Sequence, residues 1–504
     1  MSLGFGSTRT GHGFRRGALF VAVIVTVSMT VAAPLRAAEP TEDDIYRLTT
    51  LAIPEEINLE ASALEWLPDG RLAVGTRRGD IYFVSNQSSP DGQGVAFRKF
   101  AGGLHEVLGL AWRDGWLYVT HRPEISRVRD VDGDDQADEF ESFSTGWGIN
   151  GDYHEYAFGS KFDRDGNIWV VLCLTGSFGS DSLYRGWCLR VGPDGKAVPT
   201  CSGVRSPGGI GANLAGDMFY TDNQGPWNGS CGLKHLQPGA FVGHPGGNKW
   251  YDRAEKVLGP RPKDPKSDSR MMTEAARIPE LYPTAVFFPY PKMGQSSSGL
   301  LADASAGKFG PFAGQMFVGE LTHSTINRVY LEKVNGRYQG ACFPFRAGFK
   351  SGTLALQQAP DGRLYVGETN RGWGSRGPKP FALERLEWTG VTPFEIHEMR
   401  ARPDGFELTF TQPVDKATVE NAASYELQTY TYIYQAAYGS PEVDHTHPKI
   451  VAATAGADGK SVHLKLEALS VGHVHELKLP GVRSMQGLPL LHKEAYYTLN
   501  TIPK

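Results

Sequence analysis

A histidine stands between two acids and two tyrosines in Gly151-Asp152-Tyr153-His154-Glu155-Tyr156. Imidazole changes charge nearest to neutral pH, so His154 is a candidate general base for taking a proton from a hydroxyl group. A second stretch, residues 130–141, has a different chemistry. Asp130, Asp132, Asp134, Asp138 and Glu141 occupy positions 1, 3, 5, 9 and 12 of a twelve-residue run, with Gln136 at position 7. Alternating oxygen donors at this spacing resemble a Ca2+ loop of the EF-hand type. Carboxylates this close repel one another without a cation, so a structural Ca2+ is expected. Gly133 at the fourth position, Asp135 at the sixth and the strand-like flanks depart from that pattern. A third pair, His105 and Glu106, precedes another strand-like run.

Elements far apart in sequence must bring such residues together, and the chain repeats in a way that does this. Turn signals at Asp69-Gly70, Asp114-Gly115, Asp165-Gly166, Ala215-Gly216, Ala313-Gly314 and Asp361-Gly362 each lead into an alternating apolar run. Four of the five intervals between these turns are about one repeat of 45–51 residues, and the interval from Gly216 to Gly314 fits one repeat plus an insertion. Strands entered from tight turns at this period predict a six-bladed β-propeller over residues 39–390. The residues closing the runs, Thr76, His121, Asp222, Glu320 and Glu368, are then expected to ring one face of the central channel. The insertion, roughly residues 248–298, is rich in proline and charge, with a short helix expected around 268–281. After Trp388-Thr389-Gly390 the repeat stops. Short alternating strands over 391–504 predict an immunoglobulin-like β-sandwich. The expected fold class is all-β.

The first 38 residues are not expected to belong to the fold. Arg9, Arg15, Arg16 and Arg36 accompany an apolar run from Gly17 to Ala33 with no acid, followed by small residues up to Ala38. This is the pattern of a secretory signal peptide. The chain is expected to be exported, to the periplasm or beyond, with no stable membrane span after cleavage. An oxidising compartment makes Cys188 and Cys201, which flank a hairpin turn at 192–195, a plausible disulfide. Formal net charge is −4, and the leader holds four of the positive charges. With no basic stretch interleaved with aromatics, nucleic acid is not an expected partner.

Gly203-Val204-Arg205-Ser206-Pro207-Gly208-Gly209, a strand, and then Gln224-Gly225-Pro226 complete the pattern around His154. Together they resemble the soluble quinoprotein glucose dehydrogenases and the wider glucose/sorbosone dehydrogenase family, including propeller modules of secreted or membrane-bound bacterial dehydrogenases. The resemblance covers roughly residues 50–390. It implies pyrroloquinoline quinone and Ca2+ on one propeller face. It also implies His154 as the base toward a sugar hydroxyl, Arg205 against the quinone oxygens, Gln224 and Lys350 at the cofactor, and the Gly225 and Pro226 carbonyls on Ca2+. Arg371 and Arg376 are further candidates for the cofactor's basic partners. Leu172-Cys173-Leu174-Thr175 stands where that family carries a catalytic aspartate, so Asp152 or Glu155 is expected to orient His154.

The resulting expectation is a secreted oxidoreductase acting on a sugar or polyol and passing electrons to an external acceptor such as a cytochrome or quinone. Two alternatives use other features. A glycan-binding propeller would stack sugars on Trp147, Tyr153, Tyr156 or Trp227. A Ca2+-dependent lactone- or glycoside-acting hydrolase would need Asp222, Glu320 and Glu368 to converge on the channel.

Overall fold

Runs that are apolar throughout or up to their last residue, such as Leu72–Thr76, Ile168–Leu172 and Met316–Glu320, form strands buried along their whole length. The computed structural model describes residues 39–174 and 182–504, together with Gly6, Gly13 and Gly17. The leader expected over 1–38 lies outside the described residues. Nearly every element is a strand, with a few short helices between them. Among the described residues no helix is long and apolar enough to cross a membrane.

Residues 61–101, 109–144, 157–202, 207–288 and 297–346 each fold into four consecutive antiparallel strands. A sixth four-stranded unit takes three strands from 353–388 and its outermost one, Tyr46–Thr50, from the start of the fold. The first strands of neighbouring units touch in order, and Thr353–Gln358 of the sixth touches Ala61–Trp66 of the first. The six Gly-containing turns all join a unit's first strand to its second. Second strands are fully buried because each sheet is covered by a neighbour on both faces.

The first strands crowd the centre, which explains their glycines. A Cβ at Gly109 would run into the Gly159 carbonyl, and one at Gly208 into the Ser297 carbonyl. Larger residues there would push the units apart.

The insertion lies inside the fourth unit, before its last strand Val286–Phe288. It carries a 3-10 turn and the helices Tyr251–Leu258 and Met271–Arg277. The strands of the C-terminal segment fall into two sheets. One of its sheets stands alone, with Ile396–Arg402 and Gly405–Phe410 among its strands. The other continues the fifth unit: Glu494–Leu499 pairs with Arg337–Arg346, extending that sheet to eight strands. Phe343 of the fifth unit shares a core with Phe406, Leu464 and Tyr497 of the segment. Hydrophobic alternation identifies such strands but not their partners across the chain.

Cys188 and Cys201 face each other in register on adjacent strands, as thiols rather than the anticipated disulfide. Residues directly opposite on antiparallel strands usually hold their Cβ atoms farther apart than a disulfide needs.

His492 links three distant parts of the fold. Its Nδ1 contacts Glu395 at 2.5 Å and its Nε2 contacts Glu42 at 2.9 Å. Burial disfavours the charged ring, but the two carboxylates outweigh it and push the pKa up to about 10. A raised histidine pKa gives stability that is complete below the ordinary value and is lost as pH rises through the folded value. The stability advantage of the native protein over His492→Gln is therefore expected to shrink between about pH 6.5 and 10, by up to about 1.4 kcal/mol per pH unit. Denaturant midpoints of the two proteins across that range check this.

Candidate functional site

Tight local bonding presents His154 on one face of the ring. The Glu155 carboxylate accepts the backbone N–H groups of Asn150, at 2.8 Å, and Gly151, at 3.3 Å. The buried Arg185 donates to the carbonyls of Tyr156 and Gly148, each at 2.8 Å. Asp152 turns the histidine. Its Oδ1 accepts the His154 N–H at 2.8 Å and lies 3.9 Å from Nδ1. Of the two acids weighed as orienting groups, Asp152 is beside the ring and Glu155 holds the loop. Burial is the main cause lowering the His154 pKa below 6.5. Asp152 opposes it, and the Arg205 and Arg122 charges add to it. The ring is thus neutral at neutral pH and able to accept a proton.

His154 opens into a cleft with about 540 Å³ of empty volume, open solvent included. Loops of five units converge there. Tyr153, His154 and Tyr156 enter the third unit, while Ser206 and Asn223 flank strands of the fourth. Ser296 precedes the fifth, Arg77 follows the second strand of the first, and Arg371 and Trp373 follow that of the sixth. The Tyr153 and Trp373 rings are half exposed and lie 5.0 and 6.3 Å from the His154 ring.

The two arginines form the cationic wall. Arg77 is buried and lies 3.5 Å from the Glu106 carboxylate and 3.3 Å from the Tyr156 hydroxyl. Arg371 reaches Glu60 at 3.2 Å and Glu106 at 3.9 Å. Among the described residues, the buried Arg77 Nε has no hydrogen-bond partner. Arg371 was among the sequence candidates; Arg77, Trp373, Ser206, Asn223 and Ser296 were not. Arg77 had a legible signal, since it immediately follows the ring position Thr76. Trp373 lies farther along the corresponding loop of the sixth unit, at a position the repeat does not mark.

Several expected site residues are employed elsewhere. Arg205 is buried, donates to the carbonyls of Asn223 at 2.9 Å and Gln224 at 2.6 Å, and is not among the cleft-lining residues. Its charge still reaches His154, as the lowered pKa records. Gln224 donates its amide to the Gly229 carbonyl at 3.1 Å. The Gly225 carbonyl accepts from Asn228 N at 3.0 Å, closing a turn. Pro226 and Trp227 line a separate depression with His244 and Ala436. Lys350 lies outside the cleft, its N–H bonded to Glu384 and its carbonyl to Lys379 N. Trp147 is buried with its indole on the Arg122 carbonyl. Gly-rich turns look alike in sequence whether they close on themselves or on a ligand.

The acids at the ends of second strands also serve the fold. Asp222 accepts Ser206 N at 2.7 Å, Glu320 accepts Gln295 N at 2.8 Å, and Glu368 accepts Ser351 N at 2.5 Å. Each fixes the loop entering its unit's first strand. They are fully buried and do not line the cleft, so the arrangement a hydrolase would need is not formed.

In the acidic run, ligand oxygens of Asp130, Asp132 and Asp138 come within 4.8 Å of one another. Asp134 instead accepts the backbone and side-chain amides of Gln136, each at 2.8 Å. Glu141 is drawn onto its strand by Arg127 at 2.5 Å. Asp134, Gln136 and Glu141 are therefore not in the cluster, because the run leads into the strand Glu139–Ser144 instead of a helix.

Residues 69–371 match the family model described as Domain of unknown function (DUF7133). A search of the curated proteins returns no match. Among solved structures, the chain is similar to one titled a putative oxidoreductase (glucose dehydrogenase) from Thermus thermophilus, at 20% identity and a TM-score of 0.49, covering 68% of this chain and 99% of that one. It is also similar to the PQQ-bound aldose sugar dehydrogenase of Streptomyces coelicolor, at 16% identity and 0.46, covering 69% and 99%. The holo pyranose dehydrogenase PQQ domain of Coprinopsis cinerea matches at 10% identity and 0.47, covering 68% and 95%.

Proposed function

Since the chain belongs to the family described as Domain of unknown function (DUF7133), its chemistry has to come from its own cleft, and we propose a secreted oxidoreductase that oxidises a sugar or polyol with pyrroloquinoline quinone. The carrying observation is the neutral, Asp152-oriented His154 facing a cleft walled by Arg77 and Arg371 and by the Tyr153 and Trp373 rings. The proposed frame is a six-bladed β-propeller over 39–390, supported by the cyclic contacts of the first strands, followed by an immunoglobulin-like sandwich over 391–504. A periplasmic or extracellular location follows from the leader-like 1–38.

The cleft offers guanidinium donors to a flat anion, with Glu60 and Glu106 balancing part of their charge. Two guanidinium groups, one with an unpartnered buried Nε, would hold the cofactor's carboxylates. The half-exposed aromatic rings offer flat faces for a planar cofactor or a sugar. Held there, pyrroloquinoline quinone would supply the two-electron oxidation of the alcohol, with an external acceptor such as a cytochrome or quinone taking the electrons onward. His154 accepts the hydroxyl proton. The Asp152 carboxylate, 3.9 Å from the ring, stabilises the imidazolium that forms. Arg205 acts through position: it pins the Asn223–Gln224 backbone at the edge of the cleft.

Reconstitution tests this reading. Full-length protein with pyrroloquinoline quinone and Ca2+ is expected to reduce a dye when given a sugar. Arg77→Met is expected to raise the quinone concentration for half-saturation at least about tenfold, since one charge-assisted bond contributes about 1.5–3 kcal/mol. A folded protein that binds no quinone overturns the reading.

The Gly225 carbonyl already accepts Asn228 N, and Pro226 lines a separate depression, so neither stands at the cleft. For Ca2+ the better donor set is Asp130, Asp132 and Asp138. Ca2+ at 100 times its Kd is expected to stabilise the protein by about 2.7 kcal/mol, and Asp132→Asn with Asp138→Asn to abolish that gain. Thermal unfolding with Ca2+ and with chelator measures it.

A further inference from the structure

The hairpin of the C-terminal segment, strands Glu426–Tyr432 and Glu442–Thr446, sends its tip across to the fourth unit of the ring. Bonds on both sides fix that tip. Gln435 O accepts Trp227 N at 2.7 Å, Ser440 N donates to Gly229 O at 3.0 Å, and Ala436 N donates to Ser267 Oγ at 3.0 Å. Gly439 adopts φ +63° and sits against the Gln224 side chain. Tyr438 is thereby held with its ring 5.3 Å from the Arg205 guanidinium. Arg205 in turn bonds the carbonyl of Asn223, a cleft residue. Only two contacts separate Tyr438 from the cleft.

Tyr438 is nonetheless 70% exposed. The hydrophobic effect disfavours exposing a large aromatic ring, and the anchored tip gives it little freedom to turn inward. Tyr153 and Trp373, exposed by 50% and 53%, are the rings that line the cleft itself. Sugar rings have apolar faces that pack on such platforms, and a monosaccharide at His154 needs no more than one or two of them.

We propose that Tyr438 is a stacking platform for a second sugar unit, so that the C-terminal segment completes the substrate site and the substrate is the end of a neutral oligosaccharide or polysaccharide. The inference rests on the sugar-directed reading of the His154 cleft. It gives the fused C-terminal segment a role in selecting chain length.

The test is binding without turnover. The full chain, without quinone, is titrated by tryptophan fluorescence and by calorimetry with neutral gluco-, xylo- and manno-tetrasaccharides and with the matching monosaccharides. At least one tetrasaccharide is expected to bind about tenfold or more tightly than its monosaccharide. Tyr438→Ala is expected to erase that difference while leaving monosaccharide affinity unchanged, and Tyr438→Phe to retain it. Equal affinity for tetrasaccharide and monosaccharide, an equal loss of both in Tyr438→Ala, or no binding of any sugar in the panel overturns the proposal. Chain-length-dependent binding in a protein that never reduces a dye would overturn the oxidoreductase reading alone.

Discussion

Replacing His154 by glutamine is expected to lower sugar-dependent dye reduction by the quinone-loaded protein about 10²–10⁴-fold, the usual contribution of a positioned general base. Glutamine keeps hydrogen-bonding capacity and approximate size but cannot take the proton. The fold should hold, because the loop is fixed by Glu155 and Arg185 and not by the imidazole. The acid limb of the pH profile carries the finer test. Burial and the Arg205 and Arg122 charges lower the His154 pKa, so activity should persist below pH 6.5, where an ordinary histidine is already half protonated. Asp152 works in the opposite direction. Asp152→Asn should move the acid limb further down while reducing kcat, because the developing imidazolium loses its counter-charge. Activity of His154→Gln within a few-fold of the native protein, with the profile unchanged, would remove His154 from the chemistry.

The repeat was legible because physics enforces it locally. A turn glycine and an unbroken apolar strand are needed in every unit, so all six second strands could be located from Leu72–Thr76 to Leu364–Thr369. Closure was less visible. Tyr46–Thr50 completes the sixth unit from the opposite end of the fold, and Glu494–Leu499 joins the fifth, pairings that no local pattern encodes. The site divides in the same way. His154 and Asp152 are neighbours in sequence, so their relation was readable. Arg77, Arg371 and Trp373 meet them only because the ring brings its first, third and sixth units to one cleft. Arg205 and Gln224 carried the motif but are engaged with backbone carbonyls. A motif reports residue types and spacing, and leaves open which bonds a folded loop has already made.

Lys234→Met is expected to cost about 3–5 kcal/mol, the usual penalty for leaving a buried charge without its partner. Lys234 and Asp222 are both almost completely buried and meet at 2.9 Å. Asp222 also takes Ser206 N at 2.7 Å and the Tyr220 hydroxyl at 2.9 Å, while Lys234 caps the Val242 carbonyl at 3.0 Å. Methionine fills the space of the lysine stem but leaves the carboxylate uncompensated in an apolar core. Burial alone would raise the Asp222 pKa, and Lys234 with the Ser206 amide reverses this and holds it below the ordinary 3.8. A depressed carboxylate pKa gives stability present above the unfolded value and lost as pH falls through the folded one. Once Lys234 is gone the carboxyl can bind its proton more readily, so the gap between native protein and variant should narrow as pH is lowered from neutral toward the ordinary carboxylate range. Chemical denaturation at pH 7 and pH 4 reads both effects. Asp222→Asn with Lys234→Met should recover part of the loss, giving a coupling between the sites in a double-mutant cycle. Additive losses with no pH dependence would show that the pair is not interacting as drawn. Because Ser206 enters the cleft from the loop that Asp222 holds, Lys234→Met should also weaken ligand binding there, whereas His492→Gln should not, since neither His492 nor its partners Glu395 and Glu42 line the cleft.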